Sequence, residues 1–384
     1  LLEAIRSEIR RDGPMKFARF MELALYDPDH VYYRSADARP GRQGDFLTAP
    51  EAHPLFGRAL SRVAAAIHDA LGSPGDLTIR EHGAGTGALA EPLVAALVGP
   101  SPDVVRPPRL IRYLVDEIEP SRVDAVRERL ALVAATAGVT IDVARDDRRP
   151  IDGLAIANEV VDALPVHRVI QRGVALREIL VGIDPAGALV EVEAPPSTPA
   201  LATRLSEEAI VLRDGQVAEI CLAVDGWVER AAAGLRDGVL LLIDYGYPAA
   251  ELYDGTRRAA GTLVTYQGHR AGADPFRAIG RQDLTAHVDI TAVEAAAARS
   301  GLVELGVTTQ GRFLAALGIG DLLVAEQTRP GATLQSYLEA RSAVVRMIDP
   351  AATGRFRVLA FGAGRLARLA LPGFDGASPD RPGG

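Results

Sequence analysis

Residues 77–89 read LTIREHGAGTGAL, and this stretch limits the fold more than any other in the chain. Leu77 and Ile79 belong to a short apolar run that closes on Glu81. Gly83, Gly85 and Gly87 follow at alternate positions, and helical spacing then resumes over residues 88–97. A buried strand, a glycine turn and a helix N-terminus, in that order, aim main-chain amides at a ligand. Glycine suits such a turn because the backbone must take unusual dihedrals and let a ligand come close.

Three readings of the turn compete. Gly83, Gly85 and Ala88 meet the G-x-G-x-x-A spacing of dinucleotide sites. The order E-x-G-x-G-x-G resembles the first motif of class I S-adenosylmethionine (SAM) methyltransferases, where a carboxylate at Glu81 suits the methionine end or a bridging water. A glycine turn of purely structural role in an α/β protein is the third.

The chain has 384 residues, long enough for one large domain with insertions or for two. Its net charge of −8 disfavours a general binder of nucleic-acid backbones. Cys221 is the single cysteine, so neither an internal disulfide nor a cysteine-rich metal site is available, which suits a reducing cytoplasm. No metal site is expected. No apolar run reaches the length of a membrane span.

Taken in order, residues 1–26 read as two helices broken at Asp12-Gly13-Pro14, and 52–71 as another helix. A second strand is expected over 110–117, ending in Asp116 and Glu117, where a ribose hydroxyl pair is held in dinucleotide-type folds. A third, TIDVARDD, is followed by Asp146 and Asp147; a carboxylate there either meets an adenine amino group or faces solvent. Residues 154–157 form a buried strand whose carboxyl end is Asn158-Glu159, on the edge where ligands bind in open α/β sheets. Residues 166–194 alternate like antiparallel strands, with turns at Gly173 and at 184–187. Residues 238–246 give another buried strand ending in Asp244 and Tyr245, and 247–283 show no clear periodicity. Strands alternating with helices predict a doubly wound α/β sheet.

Several stretches together resemble one family, the MidA-type methyltransferases, which include a mitochondrial complex I assembly factor that methylates a protein arginine. They are GRQGDFLTAPE (41–51), EHGAGTGAL, ANEVVDALPVHRV (157–169), LLIDYGY, GTLVTYQGHR, DLTAHVDI, TTQGRFLAALGI and GRFRVLAFG. Two departures stand out: Ala84 replaces the usual proline in the glycine turn, and E-x-S-P after the second strand reads Glu117-Ile118-Glu119-Pro120.

The resemblance implies a Rossmann-like class I methyltransferase sheet using SAM. A helical or lid segment is expected over 1–71 and the core over 72–365. Insertions are expected near 166–215, 247–285 and 311–350, and a flexible tail from 366. Glu81, Gly83, Gly85, Gly87, Glu117, Asp146 and Asn158 are the expected cofactor residues. The methyl acceptor is a protein arginine or a small molecule or peptide; a SAM-binding assembly role is the third possibility. A guanidinium acceptor favours carboxylates, and Asp45, Glu51, Glu159 and Asp162 form the expected acceptor set, with a capping role open for Asp162. His269 and His287 are candidate bases or structural histidines, and Tyr245 and Tyr266 either line the site or pack. Residues 44–51 are expected to fold over the carboxyl edge of the sheet, facing Glu159.

Overall fold

The computed structural model describes residues 1–27, 48–99, 106–268 and 270–374. The chain divides into two compact units: Leu1–Phe46, Val161–Trp227 and Gly246–Ala296 form one, and Leu47–Val160, Val228–Tyr245 and Ala297–Gly384 the other. The segments expected as insertions at 166–215 and 247–285 fall in the first unit, and the one at 311–350 in the second.

The second unit is built on seven strands: β1 Asp76–His82, β2 Leu110–Asp116, β3 Thr140–Arg145, β4 Ile151–Asn158, β5 Leu235–Asp244, β6 Val303–Thr309 and β7 Arg357–Ala363. Their spatial order is β6-β7-β5-β4-β1-β2-β3. The five strands from β3 to β5 pair in parallel, and β7 runs antiparallel to both β5 and β6. This is the doubly wound sheet expected, and residues 302–310 and 356–362, which also read as strands in the sequence, supply its antiparallel edge. Continuous apolar runs such as Leu154–Ala157 and Val239–Ile243 belong at its centre, because a parallel sheet covered on both faces buries both sides of each strand.

The helices that cover it are amphipathic. Phe56, Leu60 and Val63 of α1 (Leu55–Ala70), Leu93 and Leu97 of α2 (Ala90–Val98) and Val126 and Leu130 of α3 (Pro120–Ala137) pack on Ile79, Tyr113, Val115 and Ile156. Local chemistry sets the ends of α3. Pro120 occupies its first turn, Glu119 caps it by accepting from Ser121 N at 3.3 Å, and Gly138 closes it in the left-handed conformation. Glu119 thus takes the capping part at the position where the resembling family carries serine. Two boundaries differ from expectation. α2 begins at Ala90 because the turn extends to Leu89, and the helix expected over 52–71 is interrupted at His53-Pro54.

One edge of the sheet gathers the strand ends. His82 pairs with Asp116 on one side and Ala157 on the other, and Asn158 pairs with Ile243. The residues after β1, β2, β4 and β5 therefore emerge side by side, which positions the candidate site.

Beneath the sheet, Arg80 is one of the largest fully buried side chains. Its guanidinium donates to Asp146 Oδ1 at 2.9 Å, to Gly234 O at 2.6 Å and to Arg149 O at 2.7 Å.

The first unit has a five-stranded antiparallel sheet. Ala175–Ile183 pairs with Met15–Lys16, His167–Arg172 and Leu189–Ala194, and His167–Arg172 also pairs with Val217–Ile220. Its turns fall where the sequence placed them: Gly173 is left-handed, and Asp184 Oδ1 accepts from Ala188 N at 2.8 Å. Helices Leu2–Asp12 and Phe17–Tyr26 bury Ile5, Phe17, Phe20 and Met21 against Val166 and Val181. The aperiodic stretch 247–283 holds a short helix, Ala249–Leu252, and strands Val264–Gln267 and Arg270–Gly272. No helix of the described residues is long and apolar enough to cross a membrane.

Candidate functional site

The glycine turn leaves β1 through three left-handed glycines, with φ of 67° at Gly83, 53° at Gly85 and 75° at Gly87. Gly83 also lacks room: an added Cβ would lie 2.7 Å from Val160 Cγ2. The turn is tied to the end of β2, for Gly83 N donates to Asp116 O at 3.0 Å and Gly85 N to Glu117 Oε1 at 2.7 Å. Glu117 Oε2 takes Ile118 N at 3.2 Å, and burial pushes the carboxyl above the usual range. The neighbouring Asp116 is engaged with His82 Nδ1 at 2.7 Å, a hydrogen bond that holds its carboxyl below the ordinary range. Of the two acids ending the second strand, Glu117 is the one whose side chain touches the glycine turn, while Asp116 meets it through its main-chain carbonyl.

Glu81 is buried and accepts the Tyr113 hydroxyl, and burial pushes its carboxyl up to about 7. Its hydrogen bond thus runs to the adjoining strand. Asp146, at the end of β3, is held by Arg80 and also accepts from Arg148 N at 3.1 Å.

The end of β4 carries the most perturbed group at this edge. Glu159 has φ of 55°, uncommon for a residue with a side chain. Glu159 N continues the ladder to Ile243 O at 2.8 Å. Its Oε1 accepts from Asn158 Nδ2 at 3.1 Å and Ala49 N at 3.4 Å. Burial, then the charge of Asp244, push the Glu159 carboxyl up to about 8, with Glu51 adding to the effect. Asn158 Oδ1 is buried and accepts nothing from the described residues.

Glu51 sits in helix Ala49–Ala52, where it completes a capping box: Thr48 N and Thr48 Oγ1 donate to its Oε2 at 3.4 and 3.1 Å. Burial raises its carboxyl too. Thr48 to Glu51 therefore reach Glu159, while Asp45 lies outside the described residues, as does His269. Asp162 belongs to the first unit, buried in the short turn Val161–Ala163, where its carbonyl accepts from Ala286 N at 3.0 Å. In that unit also, His287 stacks at a tilt on Tyr247 with ring centres 5.5 Å apart, and Tyr266 lies in strand Val264–Gln267. Tyr245, in the second unit, packs on Phe356 at 5.4 Å.

Sequence reasoning named the β4 end but passed over Asp244, which joins it. Asp244 is buried, with Oδ2 accepting from Val160 N at 3.2 Å and Oδ1 from Tyr245 N at 2.8 Å. An acidic residue closing the strand that neighbours β4 was the available signal.

The edge can thus offer left-handed glycine amides, a carboxylate beside them, an amide oxygen unpaired among the described residues and a carboxyl cluster around buried Asp244. Comparison with known proteins bears on what binds there. A family model described as S-adenosyl-L-methionine-dependent methyltransferase matches residues 59–308. A crystal structure of a Burkholderia thailandensis protein bound to S-adenosyl-homocysteine superposes with a TM-score of 0.85 at 34% identity, covering 96% of this chain and 93% of that one. The mouse protein named protein arginine methyltransferase NDUFAF7, mitochondrial, is 29% identical over 346 residues, covering 83% of this chain and 74% of its own length. The Drosophila melanogaster homologue is 27% identical, covering 96% and 86%. With the glycine turn, the sheet order and these matches in agreement, the chain belongs to the MidA-type family of SAM-dependent methyltransferases.

Proposed function

We propose that this methyltransferase acts on the guanidinium of an arginine in a partner protein. The observation that carries the reading is the acidic set at the β4–β5 edge, where buried Asp244 and half-buried Glu159 and Glu51 surround an Asn158 oxygen that is unpaired among the described residues. The names of the mouse and fly relatives support it. Carboxylates suit a planar cation with five donors.

The cofactor residues fit SAM. Left-handed Gly83, Gly85 and Gly87 support close approach of a cofactor to the main chain; Glu117, held beside the turn, is assigned to the ribose hydroxyls, and Asn158 Oδ1, unpaired among the described residues, to a cofactor donor. Asp146 remains a candidate for the adenine end and Glu81 for the methionine end, each acting from its hydrogen-bonded position. When bound, the cofactor supplies a methyl on positively charged sulfur. The chain's own work is alignment, exclusion of water and removal of one proton. Burial keeps Glu159 protonated at neutral pH without a cation beside it. An arriving guanidinium favours the carboxylate and displaces that proton. Glu159 is then ionised next to the acceptor and takes the proton that the guanidinium nitrogen loses as the carbon–nitrogen bond forms.

Gly85→Val should abolish SAM binding, because a β-branched residue resists the left-handed conformation and fills the approach space. Glu117→Ala should weaken it by about tenfold or more, the loss of a charge-assisted hydrogen bond, while Asp116→Ala has the smaller effect. Titration calorimetry reads both, and a larger loss in Asp116→Ala moves the ribose site by one residue.

The acceptor test uses SAM with a deuterated methyl group, the purified protein and a cell lysate, followed by mass spectrometry. Label on arginine side chains of a protein is the expected result. Label confined to small molecules, or on oxygen, overturns the arginine reading.

A further inference from the structure

We propose that Asp244 is a positioning residue for methyl transfer, acting through Glu159 by bridging the ends of β4 and β5. The inference rests on the reading of Glu159 as the acceptor carboxylate. The two strands are paired as far as Asn158 and Ile243, and Glu159 N still reaches Ile243 O. Beyond that point the ladder fails, since Glu159 turns left-handed. Val160 N, the next donor, finds Asp244 Oδ2 instead of a main-chain carbonyl, and Asp244 Oδ1 takes Tyr245 N. One buried carboxylate therefore satisfies the first amide after the turn on one strand and the first amide past the end of the other. A strained conformation persists only where its surroundings over-determine it, and the Val160 bond is one of the two main-chain ties on either side of the turn.

The second effect is electrostatic. Among the described residues, the groups facing Glu159 are Asp244 from β5, Glu51 and Ala49 N from helix Ala49–Ala52, and Asn158 from its own strand. After burial, Asp244 exerts the largest electrostatic effect on Glu159, and like charge disfavours ionisation. Asp244 thus delays the ionisation of Glu159 until a cationic acceptor has arrived, so the base forms together with the complex.

The titration arm of the test needs no acceptor. The protein is labelled with carbon-13 at the glutamate side-chain carboxyl, Glu159 is assigned through Glu159→Gln, and its titration is followed by NMR. Asp244→Asn should lower the midpoint by about one pH unit or more, with SAM affinity changed less than about twofold, whereas Asp244→Glu keeps the midpoint high. The acid limb of label incorporation into lysate protein should move down with it. An unmoved midpoint overturns the electrostatic tie, and an unmoved limb overturns the link to transfer. If Asp244→Asn does not fold, the wild-type amide resonance of Val160 decides: it should follow an acid titration of Asp244, and indifference to pH overturns the bridge. A methyl found on another acceptor defeats the arginine reading and leaves the midpoint result standing.

Discussion

Arg80→Met is expected to destabilise the protein by about 3–5 kcal/mol, the range for removing one partner of a buried ion pair. Arg80 is 1% exposed, and its guanidinium satisfies Asp146, Gly234 O and Arg149 O. Methionine roughly fills the volume but donates nothing. It leaves one buried carboxylate and two carbonyls without their donor, and desolvation of such groups is what makes the loss large. The contacts also join a strand to loops 66 and more residues away along the chain. Urea unfolding at neutral pH reads the loss. A double variant, Arg80→Met with Asp146→Asn, should recover part of it, because the stranded charge is gone. A loss below about 1 kcal/mol in the single variant would mean that the pair contributes no more than a surface bridge.

Glu159→Gln is expected to cut methyl transfer by about 100-fold or more, the size of a lost general base, while SAM affinity stays within about twofold. Glutamine copies the protonated side chain, and its oxygen can keep the donors Ala49 N and Asn158 Nδ2. It cannot take the proton that leaves the acceptor. The same substitution should stabilise the fold above neutrality. With the folded carboxyl pushed up to about 8 and the unfolded one near 4.5, the folded state holds the extra proton between those values. Wild-type stability therefore falls as pH rises through that window, by on the order of 5 kcal/mol across it, and the glutamine variant escapes the fall. Denaturation midpoints at pH 5 and pH 8 separate the two proteins. A glutamine variant with full activity, or one whose midpoint tracks the wild type at both pH values, would remove Glu159 from the acceptor site.

Much of the sheet was legible because its strands are buried on both faces and read as unbroken apolar runs. The glycine turn was legible because left-handed backbone leaves a mark in composition. Asn158 and Glu159 could be placed by topology, since ligands gather where parallel strands end. The rest depends on pairing that no local pattern encodes. Arg80 looks like an outward-facing strand residue, yet its partners come from the far ends of two later loops. Glu81 looks free to meet a ligand, and only the strand register brings Tyr113 within reach of it. Glu51 reads as an acceptor carboxylate, although its first partners are its own helix cap. Asp162 reads with Glu159, three residues away, and the chain passes between units in the interval.

The antiparallel strand β7 comes last along the sheet's sequence but lies between β5 and β6. During synthesis, β5 therefore waits with one edge unpaired for more than a hundred residues, and β6 waits beside a gap rather than a neighbour. Pairings this distant in sequence make folding slow and leave apolar edges open to other chains. A chain stopped short of Arg357 should be handled by the cell as an aggregation hazard, even with every candidate cofactor and acceptor residue already made. Chaperone demand should thus peak late, just before the final strand emerges from the ribosome.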